Sequence, residues 1–344
     1  MSYRYIGNKS RLISNLMGVI TSCADRGATV ADLMCGTATV SEALKWEGYR
    51  VIASDIMTFA VQHAKVRLLL NEAPTFSGLN GEPYLCVLSE LNELGPVEGY
   101  FFRELSPEGV PMSRTESRKY FTSANAKKID AISGQIKAWF EQGQISDVEN
   151  ALLRHDLVLA ANRVANIAGT YGHYRSSWNT SSLRPLALQP ASFMPGPSTQ
   201  HIVLQGQAED VSKRVSADIC YLDPPYMKRQ YAANYHVLET IARGDEPQAI
   251  GVSGLRPWRD QYSFFCSKVR VRDSFNVIFE NIDAAVILIS YSEDGLLEKS
   301  DLLELFAKHG EVSLHEFSYP RFRSNSSDLG HTLKEYMFEV RRSS

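Results

Sequence analysis

Few features of this 344-residue sequence point to a staple, a membrane or an extended polyanion. Its five cysteines (Cys23, Cys35, Cys86, Cys220, Cys266) are scattered, with no C-x-x-C pair and no His/Cys spacing of a zinc site. A disulfide framework is therefore not expected, no metal site is expected, and the thiols read as reduced. The longest apolar stretches, such as residues 284–289, are far too short to span a bilayer, and no charged-then-apolar leader opens the chain. A soluble, cytoplasmic protein is the expectation. Charge of one sign is missing too: 36 Lys and Arg against 39 Asp and Glu leave a formal net charge of −3, so any polyanion must be met by a local patch. The dinucleotide fingerprint G-x-G-x-x-G is absent, as are repeats and low-complexity tracts.

What is present is a βαβ rhythm. Short apolar runs at 29–34, 49–55, 201–204, 218–222 and 284–291 alternate with helical patterns at 39–47, from the second strand through residue 70, at 231–243 and at 300–309. Residues 312–318 and 332–340 read as strands that close the sheet as an antiparallel pair. The fold class expected is α/β: a doubly wound, Rossmann-like sheet, mostly parallel with an antiparallel C-terminal strand. Between residues 71 and 199 the rhythm disappears. Nine prolines fall there, and only 123–168 looks helical, through Ile129, Ile132, Ile136, Trp139 and Phe140. Two domains follow: 1–70 with 200–344 as the sheet domain, and 71–199 as an inserted, partly helical region.

Open parallel sheets bind ligands outside the carboxyl ends of their strands. Three acids stand at such ends: Asp32 before the Gly36 turn, Asp55 at the end of the second strand, and Asp223 after a later one. Asp32 and Asp55 together imply a cofactor containing a nucleoside. Asp223-Pro224-Pro225-Tyr226 is more specific. Two prolines fix an extended loop whose carbonyls lack internal donors. A carboxylate and the Pro224 carbonyl can then take both N–H groups of an exocyclic amine on a flipped base, while Tyr226 stacks on its face. Two segments mix cations with aromatics as a nucleic-acid surface does. Residues 163–185 carry Arg163, Arg175 and Arg184 beside Tyr171, His173, Tyr174 and Trp178. Residues 254–275 carry Arg256, Arg259, Lys268, Arg270 and Arg272 beside Trp258, Tyr262, Phe264 and Phe265.

These motifs resemble the adenine-specific DNA methyltransferase family with a D-P-P-Y catalytic loop, in the arrangement where cofactor motifs precede that loop. Tyr3-Arg4-Tyr5-Ile6-Gly7-Asn8-Lys9 resembles its N-terminal "YIG(S/N)K" turn, and Asp32-Leu33-Met34-Cys35-Gly36-Thr37 its first cofactor motif. Arg229 to Glu239 resembles a subgroup's continuation of the catalytic loop. Ile289-Ser290-Tyr291-Ser292 resembles a loop beside the target-base pocket, and the basic stretch 319–324 and Asn166 to Tyr174 are also similar. Met34-Cys35, Ala38 and Gln207 depart from the commoner residues.

The resemblance implies S-adenosylmethionine as cofactor, held by Tyr5, Ile6, Gly7, Lys9, Asp32, Met34, Cys35, Gly36, Thr37, Asp55, Ile56, Gln207 and Asp223. Lys9 would lie near the cofactor carboxylate. It implies Asp223, Pro224, Pro225 and Tyr226 as catalytic residues, and 71–199 as the target-recognition region. Nucleic-acid contacts would come from Tyr174, Arg175, Arg229, Tyr231, Asn234, Arg256, Arg270 and Tyr291. Double-stranded DNA is the expected partner, with a cognate restriction endonuclease or defence-system subunit as a protein counterpart. RNA adenine methylation, cytosine-N4 methylation and a non-catalytic DNA-binding subunit are the alternative readings.

Overall fold

A computed structural model describes residues 5, 7, 9–112, 116–196, 200–320 and 332–342. Its elements run α1 (Ile13–Cys23), β1 (Thr29–Asp32), α2 (Thr39–Glu47), β2 (Arg50–Asp55), α3 (Thr58–Leu69), β3 (Thr75–Phe76), β4 (Glu82–Pro83), α4 (Tyr84–Glu93), α5 (Tyr100–Leu105), α6 (Ser123–Glu141) and α7 (Asp147–Val164). They continue with β5 (Ile202–Gln205), α8 (Ala208–Val211), β6 (Ile219–Leu222), α9 (Tyr231–Asn234), α10 (His236–Arg243), α11 (Val271–Asn281), β7 (Val286–Ser292), α12 (Lys299–Phe306), β8 (Glu311–Pro320) and β9 (Thr332–Arg341). No helix among the described residues is long and apolar enough to cross a membrane.

The chain divides into two compact units. One comprises Gly7–Ile56, Gly196–Gln230 and Ser263–Ser344. It holds a seven-stranded sheet in the order β5-β2-β1-β6-β7-β9-β8. The first five strands are parallel, and β9 runs antiparallel between β7 and β8. This is the Rossmann-like sheet expected, with its order reversing between β1 and β6, where open sheets form their ligand crevice. Every residue of β6 and β7 is buried, which is why Ile219–Leu222 and the run 286–289 are continuously apolar rather than alternating. Phe275 of α11, Phe306 of α12 and Phe338 of β9 meet edge-on at 5.2 Å and close one face.

The other unit comprises Met1–Ile6, Met57–Pro195 and Tyr231–Tyr262. Its boundaries differ from the expected 71–199, because α3 and the segment after the D-P-P-Y loop pack here rather than with the sheet. The α3 helix buries Phe59, Ala60, Val61, His63, Ala64, Val66 and Leu68, nearly all round, and so needs neighbours on several sides. Glu239 of α10 is fully buried and accepts from the N–H groups of Thr58 and Phe59, capping α3, and from Gln261 and Arg243. The helical stretch expected over 123–168 is two helices. Gly143 turns the chain in a left-handed conformation, and Ser146 with Glu149 forms a capping box for α7. Likewise 231–243 breaks into α9 and α10 at Tyr235.

The segment 165–195 contains no helix or strand, yet it has a fixed course. Side-chain amides of buried Asn166 and Asn125 and half-buried Asn92 bond its backbone as a neighbouring strand would. Asn166 donates to the carbonyls of Lys119 and Arg175 and accepts from the Asn179 N–H. Asn125 bonds both Arg184 and Leu186, and Asn92 bonds Leu188 in both directions.

His63 of α3 and His155 of α7 are buried with their Nδ1 atoms 2.7 Å apart, so only one of the two nitrogens carries hydrogen. Burial lowers both. His155 is pushed down to about 3 by burial and Arg67, and His63 falls well below its usual value through burial, His155 and Arg67. Both are neutral in the fold, whereas unfolded imidazoles titrate near 6.5. Stability is therefore complete above that pH and falls as pH drops below it, by about 1.4 kcal/mol per pH unit for each histidine. Denaturant melts between pH 7.5 and 5 should show this slope, and His155→Asn should reduce it by about one proton. An unchanged slope in the variant would remove the pair as the cause.

Candidate active site

The sheet unit collects its acids at the carboxyl ends of adjacent strands. Asp32, ending β1, is buried. Its Oδ2 accepts from the Ser41 hydroxyl at 2.6 Å, and its Oδ1 has no partner among the described residues. Burial raises Asp32 to about 7, against the Ser41 bond, with Asp223 and Asp55 adding to the rise. Asp55, ending β2, accepts from the Gly36 N–H at 2.9 Å, and Cys35 N–H bonds Ser54 O. Gly36 (φ 52°) and Ala38 (φ 56°) are both left-handed, which folds 35–38 tightly over the end of β2 before α2 begins. Thr37 is buried and bonds the Thr39 hydroxyl, Cys35 is buried, and Met34 and Ile56 are half-buried. Gln207, the N-cap of α8, directly follows Gly206, whose N–H bonds Asp55 O, so it stands beside the end of β2. A buried acceptor without a partner and a carboxylate against a glycine turn suit the ammonium and ribose of a nucleoside-bearing amino acid.

The D-P-P-Y loop leaves β6 between β1 and β7. Asp223 is 16% exposed, and its Oδ1 lies 3.0 Å from Lys9 Nζ. Lys9, itself buried, also binds the buried carboxylate of Glu335 on β9, which accepts from Ser290 at 2.8 Å. The ammonium of Lys9, the residue expected near the cofactor carboxylate, bridges two protein carboxylates. Burial alone would lower Lys9, but Asp223 and Glu335, with Tyr226 and Tyr221, hold it well above its usual value. For Asp223, burial raises the carboxyl to about 7 while Lys9 pulls it down and Glu335 pushes it up. Glu335 carried no signal in the sequence, since an acid in an alternating strand reads as solvent-facing.

Tyr226 is half-buried, edge-on to Tyr291 at 6.0 Å, with Lys9 Nζ 5.5 Å from its ring centre. Its carbonyl accepts from Leu296 N–H at 3.0 Å. Tyr291 does not meet its expectation as a nucleic-acid contact. It is fully buried, and its hydroxyl accepts from the N–H groups of Leu296 and Leu297. A Cβ at Gly295 would lie 2.0 Å from the Tyr291 ring, so the turn closes on that ring only with glycine. Tyr291 is a wall behind Tyr226.

Beyond the loop, Gln230 and Ser263 exchange two hydrogen bonds, and the Cys266 thiol donates to Arg229 O. These bonds bring exposed Lys228 and Arg229 alongside the segment bearing exposed Lys268 and Arg270, with Arg270 4.8 Å over the Phe264 ring. Arg256, expected on DNA, is 3% exposed, and its guanidinium bonds Asp245 through two nitrogens and Thr240 through one. That expectation is corrected: the side chain is an internal brace.

In the helical unit Arg175 is exposed, and half-buried Tyr174 lies edge-on to Tyr120. Tyr231 and Asn234 are half-buried on α9, and Asn234 O accepts from Tyr171 N–H. Tyr5 stacks on Tyr235 at 4.9 Å beside Tyr231 and Phe59, within the helical unit. Gly7 is left-handed at φ 78°. Ile6 and the basic residues 321–324 lie outside the described residues.

A Rossmann-like sheet with a reversed last hairpin, acids at the ends of β1 and β2, and an Asp-Pro-Pro-Tyr loop on β6 define an α/β enzyme of the methyltransferase class. The chain belongs to the D12 class N6 adenine-specific DNA methyltransferase family, whose model matches residues 5–304. It is 33% identical to "Type II methyltransferase M.FokI" of Planomicrobium okeanokoites over 98% of this chain and 52% of that one, and so spans about half of that relative. It is also 33% identical to "Type II methyltransferase M.NlaIII" of Neisseria lactamica over 94% of this chain and 93% of that one. "Type II methyltransferase M.CviAII" of Paramecium bursaria Chlorella virus 1 is 29% identical over 98% and 97%.

Proposed function

We propose that this chain transfers a methyl group from S-adenosylmethionine to the N6 amino group of an adenine flipped out of duplex DNA. The observation carrying the proposal is the position of Asp223, held by Lys9 at the sheet's switch point in a family of adenine-specific enzymes. Asp55 would accept the cofactor ribose hydroxyls, the free Oδ1 of Asp32 its ammonium, and Gln207 would face its adenine. S-adenosylmethionine, when bound, supplies an electrophilic methyl on a sulfonium.

The chain's own residues must make a poor nucleophile competent. The adenine amine has its lone pair delocalised into the ring. The Asp223 carboxylate and the Pro224 carbonyl accept its two N–H bonds and favour a more tetrahedral nitrogen. Positive charge grows on that nitrogen during transfer, so a carboxylate there stabilises the transition state more than the ground state. Tyr226, braced by Tyr291, stacks on the base. Lys228, Arg229, Lys268 and Arg270 offer cations to phosphates, and Tyr174, Arg175, Tyr231 and Asn234 on the other unit contribute to target reading. The inserted unit is read as the target-recognition domain and the sheet unit as the catalytic domain.

The relatives are named as type II methyltransferases, which supports a modification enzyme of a restriction system, working in the cytoplasm with a nuclease of matching specificity as its counterpart. Incubation of wild-type protein with tritiated cofactor and unmethylated duplex DNA, followed by digestion to nucleosides, should place the label in N6-methyladenine. Label in N4-methylcytosine, or in RNA alone, would overturn the substrate assignment.

A further inference from the structure

We propose that Lys9 and Glu335 form a counter-charged pair whose function is to set the charge of Asp223: Lys9 binds the carboxylate, and Glu335 limits how tightly it does so. The inference rests on Asp223 being the acceptor for the target amine.

The geometry is that of one cation shared between two carboxylates. Lys9 Nζ is 3.0 Å from Asp223 Oδ1 and bonds Glu335 Oε1, and both Lys9 and Glu335 are buried. Glu335 Oε1 also takes the Ser290 hydroxyl at 2.8 Å, while its Oε2 has no partner among the described residues. Glu335 is thus fixed in place on β9, opposite Ser292 of β7, and its only counter-ion among the described residues is Lys9. A buried acid kept beside a catalytic carboxylate has no packing advantage over an apolar residue of similar volume. Its effect is electrostatic.

Two opposite demands fall on Asp223. It must be ionised to receive an N–H from the amine, which calls for a cation nearby, since burial disfavours the charged carboxylate. An uncompensated ammonium 3.0 Å away would, however, occupy the carboxylate and weaken it as an acceptor. Splitting Lys9 between Asp223 and Glu335 meets both demands. The other titratable groups facing Asp223 are Tyr221 on β6, Asp32 on β1 and Tyr226 on its own loop. Burial holds Tyr221 well above its usual value, so it stays neutral in the working pH range, and Asp32 bears on Asp223 from outside the Lys9–Glu335 pair.

The two halves of the pair therefore act with opposite sign. Glu335→Gln keeps the Ser290 bond and the volume but leaves the full Lys9 charge on Asp223, so the Asp223 titration should move down by about one pH unit or more. Lys9→Met removes the cation and should move it up by a similar amount. The carboxyl ¹³C titration of Asp223, identified by its disappearance in Asp223→Asn, reads both shifts directly. The acid limb of the kcat/KM profile should follow in the same two directions, with kcat reduced about tenfold or more in each variant. A common loss of folding cannot shift one variant up and the other down. Shifts of the same sign, or none in either, would overturn the pair as a setting device while leaving methyl transfer by the wild type intact. Opposed titration shifts in a wild-type protein that transfers no methyl would instead strike the activity on which the inference rests.

Discussion

Asp223→Ala is expected to lower kcat by on the order of 10²–10³-fold while cofactor affinity changes little. The carboxylate is the one group of the loop that can both accept an amine N–H and oppose the positive charge that develops on nitrogen, so its loss is felt in the transition state. Tyr226→Ala should lose a similar factor with a larger share in KM. Its ring supplies a stacking face worth about 1–3 kcal/mol, and without it Tyr291 is left behind an open slot. Single-turnover methyl transfer with cofactor binding measured separately by calorimetry separates these cases. Retained turnover in Asp223→Ala would remove this loop from the chemistry.

The second large effect is structural. Arg118→Met should cost roughly 3–5 kcal/mol, because it removes at once the partner of the buried Glu104 Oε2 and of three carbonyls. Arg118 is fully buried and donates to Glu104 Oε2 at 3.1 Å, to Glu104 O, to Gly251 O and to Val252 O. Around it the turn 251–254 is wrapped through two left-handed glycines, Gly251 and Gly254, and a Cβ at Gly254 would lie 2.8 Å from Arg118 Nε. Denaturant unfolding of the variant should show the loss, and amide exchange should place it first in 249–255. Stability within about 1 kcal/mol of wild type would mean that the turn holds itself.

The same contrast explains what the sequence disclosed. Strand β6 and the run 286–289 of β7 were legible because a parallel strand covered on both faces reads as a continuous apolar run. The Asp223 to Tyr226 loop was legible because its chemistry is local, four adjacent residues carrying the acceptors and the stacking ring. Glu335 was not, since its meaning depends on Lys9, 326 residues away. Arg256 was misread for a related reason: an arginine among aromatics looks like a phosphate ligand until Asp245 is seen to occupy it. Tyr291 reads as a base contact by motif and is a buried support in space. Unit boundaries escaped because α3 continues a βαβ rhythm in sequence while burying nearly its whole circumference against α7 and α10.

The amide brackets of segment 165–195 have a further consequence for how such a protein can change. Asn92, Asn125 and Asn166 fix the backbone from beneath, and the exposed residues Arg175, Ser177, Thr180 and Arg184 take no side-chain part in those bonds. The route of the chain and the letters it displays are therefore separately heritable. Substitution at the displayed positions can alter what the segment contacts without rerouting it, whereas a change at any bracket reshapes everything it carries. Divergence in what the segment contacts has a ready path here that leaves the backbone brackets untouched.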